Sequence, residues 1–332
     1  MKEVASPAES YVSEAIVWRN GARPEACDLD LAVSEANGKA LGEFVWIHVI
    51  ANETEGARRL LEDRLGFHSV SVDDALSDRI RPGLEIRDDY VYFAVPAREA
   101  AVAGTPFYQL SFFLRDRFLL TLTVRESVLI DEVQERVLSS TMPLPPSATQ
   151  VSHLVLDAIV DDFFPVLDDL YDRIEEIEAA VYQAVKVDAR DAIELKREFL
   201  QLRKQISPIR DTLNALLRRE STIVDRNVVA DLQDVYDHAL RASESIDLGR
   251  DLLSTIMDAQ LNVVSNRLNE VMRTLTVIST LMMACSLVAG IYGMNFRRMP
   301  ELDWQWGYPF SLGLMALVCA VILYLFRRKD WI

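Results

Sequence analysis

Two long stretches near the C-terminus carry no charged residue, 274–296 and 304–326, and each is 23 residues long. As a helix rising ~1.5 Å per residue, either one can cross a hydrocarbon core of roughly 30 Å. A short polar loop joins them, so the chain is expected to end in a two-span membrane hairpin. The first 273 residues precede it, enough for at least one soluble domain with its own core. No other apolar run reaches spanning length.

Orientation follows from the flanking charge. The start, MKEVASPAES, holds acids and no basic segment followed by an apolar one, so it does not read as a secretory signal. The N-terminal bulk is therefore expected in the cytoplasm. Two spans return the C-terminus to that side. Arg273 before the first span, and Arg327, Arg328 and Lys329 after the second, agree with the positive-inside rule. Arg297 and Arg298 in the outer loop run against it, but a hairpin after a cytoplasmic domain leaves little choice.

Composition excludes some functions. A formal net charge of −16 argues against binding nucleic acid or anionic lipid through general charge. Such a chain attracts cations, although acidity also serves solubility alone. Cys27, Cys285 and Cys319 show neither metal-ligand spacing nor a disulfide framework, and read as small apolar residues. His48, His68, His153 and His238 are scattered and read as structural histidines. No glycine-rich phosphate loop and no nucleophile with a nearby base is visible, so no enzyme and no organic cofactor is expected.

Residues 1–150 mix strand and helix signals, as in an α/β domain on a mostly antiparallel or mixed sheet. Apolar, β-branched runs at 44–49, 90–95, 107–114 and 118–124 predict strands, with a tight hairpin at Arg115-Asp116. The spacing of Leu60, Leu61 and Leu65 predicts a helix over 53–65. A proline-rich linker, 141–146, follows. Long helices are then predicted over 151–184, 188–220 and 227–295. The first two make an antiparallel hairpin over 151–226, one acid-rich and the other basic. The third is a stalk running unbroken from cytoplasm into membrane, on the order of 100 Å at ~1.5 Å per residue. Residues 296–306 form the outer loop, 307–327 the second span and 328–332 a basic tail.

The long helix carries two stripes. Leu232, Val235, Ala239, Ala242, Ile246, Gly249, Leu253 and Ile256 alternate three- and four-residue steps, a coiled-coil-like seam expected to pack against copies of the same helix. The second stripe is Asp258, Asn262, Ser265, Asn269, Met272, Thr276, Ser279, Met283, Ser286, Gly290 and Gly293, with Leu275 beside Thr276. It is too polar to face lipid, and polar groups at membrane depth face protein or a water-filled cavity. Small residues also mark helix-packing faces, so a pore lining and a packing face are both open. Two spans cannot enclose a channel, so a pore demands a ring of subunits. Gly293-Met294-Asn295 closes the stripe at the far mouth of the first span.

That tripeptide is embedded in Asn269-Glu270-Val271-Met272, Ala289-Gly290-Ile291-Tyr292-Gly293-Met294-Asn295-Phe296, Met299-Pro300-Glu301-Leu302 and Trp304-Gln305-Trp306-Gly307-Tyr308-Pro309. This closely resembles the CorA family of magnesium transport channels, most strongly over 225–332. The resemblance implies a funnel-shaped homopentamer in the inner membrane of a prokaryote, multi-pass, with both termini cytoplasmic. It implies an α/β cytoplasmic domain, a long-helix stalk and two C-terminal transmembrane helices. The first span would line the pore, and Gly293, Met294 and Asn295 would capture hydrated Mg2+, helped by Glu301 and Asp303. Mg2+ would be both cargo and regulator, the regulatory ligands being Asp89 and Asp234, with Asp88 assisting. Co2+ and possibly Ni2+ would also pass. The chain departs from many relatives in having Ala284 where a proline follows the mid-span methionine, and Arg297-Arg298 where an acid follows Asn-Phe. A Zn2+ transporter of the same superfamily is the nearest alternative, opposed by Gly-Met-Asn and by the absence of a His/Cys ligand cluster. A non-conducting, membrane-anchored coiled-coil sensor is the alternative of another class.

Overall fold

The computed structural model describes residues 11–19, 23–38, 44–77, 79–98, 107–139, 147–183, 189–218, 228–294, 304–329 and 331. The chain forms two compact units, one of residues 1–179 and 187–254, the other of 180–186 and 255–332.

The first unit is built on a seven-stranded mixed sheet. Its strands are β1 (Val12–Trp18), β2 (Glu25–Cys27), β3 (Phe44–Ile50), β4 (Gly83–Ile86), β5 (Val91–Arg98), β6 (Phe107–Arg115) and β7 (Phe118–Thr123). They lie in the order β2-β1-β3-β7-β6-β5-β4. Only β3 and β7 run parallel; the other neighbours are antiparallel. Strands β3, β5, β6 and β7 are buried almost throughout, on both faces. Continuous rather than alternating apolar runs are what a sheet covered on both sides requires. The β6–β7 turn is Asp116-Arg117, one residue later than the sequence suggested, because Arg115 still pairs with Phe118.

Three helices, α1 (Leu29–Ala36), α2 (Thr54–Arg59) and α3 (Ser69–Ala75), share one core with one sheet face, including Val45, Ile47, Val49, Phe113 and Leu120. After α2 the chain widens into a π-helical turn, Leu60–Arg64, and Gly66 reverses it at φ 72°. The helix predicted over 53–65 is thus present but not uniformly α. Trp46, Phe93 and Phe112 point to the opposite face, by strand alternation, and are fully buried there. Helix α4 (Val128–Ser139) and α5 (Ala148–Asp161) follow, and α5 packs on β6 and β7.

The single helix expected over 151–184 is two, α5 and α6 (Phe163–Tyr182), separated at Asp162. Pro165 is the physical cause. It has no N–H for the carbonyl of Asp161, and its ring crowds the preceding turn. Arg98 of β5 grips the break with two bonds to Asp162, at 2.8 and 2.7 Å.

Helix α7 (Ala189–Arg218) and the first part of α8 (Val229–Tyr292) complete this unit. The seam from Leu232 to Ile256 is buried within the chain itself. This corrects the expectation that it packs against copies. A Cβ at Gly249 would lie 2.5 Å from the Phe199 ring of α7, and Tyr171 of α6 donates to the Ser245 carbonyl at 2.8 Å. Heptad spacing specifies an apolar stripe but not its cover, and the α6 and α7 helices supply that cover. One α6–α7 ion pair also runs opposite to the helices' net charges: Arg173 of α6 bonds Glu198 of α7 at 2.7 and 2.8 Å.

In the second unit, the remainder of α8 and helix α9 (Gly307–Arg328) are long and apolar enough to span a membrane. Only 11 % and 6 % of their most apolar windows are buried, unlike the core helix of a soluble protein. Trp304, Trp306 and Tyr308 crowd one end of α9, and Trp331 stacks on Phe326 beside Arg327 and Arg328 at the other. Aromatic and basic residues at helix ends suit the two membrane interfaces.

Candidate functional site

Along α8, one face of the apolar part is covered and the opposite face is not. Val277 and Val288 are buried, and Cys285 Sγ lies 3.3 Å from Cys319 Sγ of α9. The cysteines that looked unrelated in sequence thus meet between the two helices. At about 100° per residue, Ser279, Met283, Ser286 and Gly290 fall roughly opposite the buried Val277 and Val288. These four are exposed, as are Asp258, Asn262, Ser265, Asn269, Met272, Leu275, Thr276 and Gly293. The Thr276 hydroxyl donates to the Met272 carbonyl at 2.7 Å, so it needs no partner outside its own helix. The polar stripe is thus uncovered in the single chain, as are apolar neighbours such as Ile278, Met282 and Leu287.

Helix α8 ends at Tyr292, three residues short of the expected 295. The Gly293 N–H still bonds the Ala289 carbonyl at 2.9 Å. A Cβ on Gly293 would sit 3.1 Å from that same oxygen, a tight approach that a larger residue would need a small shift to relieve. Met294 is exposed. Asn295, Glu301 and Asp303, and Arg297 and Arg298, lie outside the described residues.

The three acids expected to be regulatory, Asp88, Asp89 and Asp234, all lie in the first unit. Asp88 and Asp89 are the exposed tip of the β4–β5 hairpin, closed by the Arg87 N–H to the Tyr90 carbonyl at 2.9 Å. Arg115 stands beside them, with Nη2 3.6 Å from Asp89 Oδ2. Asp234 lies on the first turns of α8, largely exposed, its Oδ2 3.7 Å from Nε2 of His238 one turn on.

His238 leads to residues the sequence reading missed. Among the described residues, Asp157 and Asp161 of α5 and His238 of α8 could hold a metal ion, with ligand atoms all within 4.8 Å of one another. Nδ1 of His238 is buried without a hydrogen-bond partner and faces Asp161 Oδ1 at 3.7 Å. Burial, then the Asp161 charge, pushes the Asp157 carboxyl up; a bound cation would act in the opposite direction. The group holds a single histidine and no cysteine, so it is not the His/Cys cluster whose absence the sequence suggested. The available signal was two i,i+4 pairs, Asp157/Asp161 and Asp234/His238, each presenting two ligands on one helix face. What the sequence does not state is that α5 and α8 are neighbours.

Comparison with known proteins agrees with this architecture. The description of the CorA-like Mg2+ transporter protein family matches residues 42–328. The cobalt/magnesium transport protein CorA of Thermotoga maritima is 31% identical over 291 residues, covering 86% of this chain and 83% of the relative. The complete structure of the CorA magnesium transporter from Methanocaldococcus jannaschii superposes with a TM-score of 0.80 at 20% identity, over 97% of this chain and 99% of that one. Full-length CmaX superposes with a TM-score of 0.77 at 18% identity, over 99% and 100%. A soluble α/β unit, one long helix and two apolar C-terminal helices, matched over nearly the whole chain, establish that this protein belongs to the CorA-like Mg2+ transporter family, a family of membrane ion transporters and not of enzymes.

Proposed function

We propose that the chain is a homopentameric channel admitting Mg2+ to the cytoplasm, with Co2+ and then Ni2+ as further permeant ions. Both termini are cytoplasmic, and the polar face of α8 lines the path. The observation that carries this reading is that face itself. It is a three-four stripe of mostly polar and small residues, exposed from Asp258 to Gly293, and beside the Cys285–Cys319 contact it is not covered by α9. One chain cannot close a ring around it, so further copies must.

The chemistry fits a hydrated cation. Mg2+ holds its water tightly and prefers octahedral oxygen ligands. A ring of Asn295 carboxamides accepts hydrogen bonds from that water without formal charge, which permits release as well as capture. Glu301 and Asp303 supply negative field at the mouth. Two charges crossing the full membrane field gain about 4.6 kcal/mol per 100 mV. On the cytoplasmic side, Asp89, Asp88 and Asp234 hold regulatory Mg2+ between subunits, and Asp157, Asp161 and His238 extend the Asp234 site.

Zn2+ is the second reading, favoured by one observation: an imidazole among the donors of that cluster, a ligand that Mg2+ seldom takes. Mg2+ uptake into liposomes holding the purified protein, with Co2+ and Zn2+ as competitors, separates the readings. Mg2+ entry that is lost in Asn295→Ala, with assembly retained, is the expected result. Zn2+ entry without Mg2+ entry would favour the second reading, and no flux of either ion would point to a non-conducting sensor.

A further inference from the structure

Asp89 does not stand alone at its hairpin tip. The β5–β6 register, with Val91 opposite Leu114, carries the end of β6 to that tip. Arg115 there is pinned by contacts that do not involve Asp89. Its Nη2 donates to the Leu65 carbonyl at 2.8 Å, and its guanidinium carbon lies 4.6 Å from the centroid of the Phe67 ring. The side chain of Arg115 is 20% exposed against 62% for Asp89. The cation is therefore the fixed partner and the carboxylate the free one.

We propose that Arg115 is a built-in counter-ion that competes with the divalent cation for Asp89, and so sets the cytoplasmic Mg2+ concentration at which the channel closes. This rests on the reading of Asp89 as a regulatory ligand. As a source of stability so exposed a pair contributes little. Its effect is on what binds second. A divalent ion arriving at Asp89 meets a positive charge that Leu65 and Phe67 prevent from withdrawing. One unit charge roughly 6 Å from a divalent ion, screened as in water, weakens binding by about tenfold.

The test is protease protection of the full-length protein titrated with Mg2+. Arg115→Gln should move the protection midpoint about tenfold lower in Mg2+, and Arg115→Lys, which keeps the charge, should leave it near wild type. In an Asp89→Asn background the Gln effect should vanish. If Gln does not fold, Arg115→Met keeps the stem over Phe67 and serves in its place. An unmoved midpoint in the neutral variant, equal shifts for Gln and Lys, or a shift that persists without the Asp89 charge would each overturn the proposal. Asp89→Asn alone distinguishes the two layers. If it moves the midpoint while Arg115→Gln does not, only the counter-ion falls. If it leaves the midpoint unchanged, the regulatory reading of Asp89 falls and takes the counter-ion with it.

Discussion

His48 shows how far a single residue can tie the soluble unit to pH. It is buried in β3, with Nδ1 3.0 Å from Thr121 Oγ1, an oxygen that also accepts from Trp46 Nε1 at 3.0 Å. Its Nε2 is buried with no partner. Burial lowers its pKa to about 4, a bond to the Thr121 backbone acting weakly the other way. The folded ring stays neutral where the unfolded ring, near 6.5, takes a proton. The stabilisation is therefore complete above pH 6.5 and is lost as pH falls toward 4. Between pH 7.5 and pH 5 the loss is about 2 kcal/mol. Thermal unfolding of the detergent-solubilised protein should show a fall in midpoint over this range that is smaller in His48→Gln. An equal fall in both would mean that other groups dominate. At this scale, the sequence marked His48 as structural, which its burial explains. It marked His238 the same way, and there tertiary structure adds what the sequence did not show, the proximity of Asp157 and Asp161.

At the scale of elements, α8 presents two different faces along its length. Up to Ser254 its apolar seam is consumed by its own chain, and Gly249 is what lets Phe199 reach the helix. Beyond that point the polar face is left open. The prediction is that cysteines at Ser279, Met283 and Ser286 react with small water-soluble thiol reagents in the conducting state. Cysteines at Ile278 and Leu287 should not, after Cys285 and Cys319 have been replaced. Equal labelling of the two sets would make the polar face a packing surface. The element limits were largely legible, since strands β3, β5, β6 and β7 and the long helices follow from apolar runs and helix-forming composition. Strands β2 and β4 were not read because short edge segments carry too little pattern, and β1 because the polar Ser13 and Glu14 break its apolar run. The interruption at Asp162 was not read, although Pro165 lies inside the helix predicted over 151–184.

For the whole molecule, the consequential question is how cytoplasmic Mg2+ acts on the path. On the proposed reading of five subunits, empty carboxylate sites repel one another, and a bound divalent ion would relieve that repulsion in the closed arrangement. A ligand shifts such a balance only through its difference in affinity between states. A ratio of ten per site is ~1.4 kcal/mol, and five sites reach about 7 kcal/mol, enough to reverse the population. High cytoplasmic Mg2+ should then close the channel and depletion should open it. Asp234→Asn should weaken the Mg2+ dependence of both closure and protease protection without abolishing uptake. If both dependences survive the substitution, Asp234 is an ordinary surface acid and the sensor lies elsewhere.

What the sequence determined by itself is whatever depends on local composition and spacing. Two uncharged stretches of spanning length, the apolar runs of the central strands, the three-four stripes and the Gly-Met-Asn context are all properties of neighbouring residues, read without knowing what lies across from them. Tertiary structure decided everything that depends on a partner distant in sequence. It chose α6 and α7 rather than another copy as the cover of the seam. It brought Cys285 to Cys319, and Asp157 and Asp161 to His238. It also set Arg115 against Asp89, through a strand register that no local pattern encodes. A stripe's period records that a face is apolar or polar, because that follows from the helix repeat. Which surface meets it is fixed only when the chain has folded back and the competing contacts have been resolved by packing and charge.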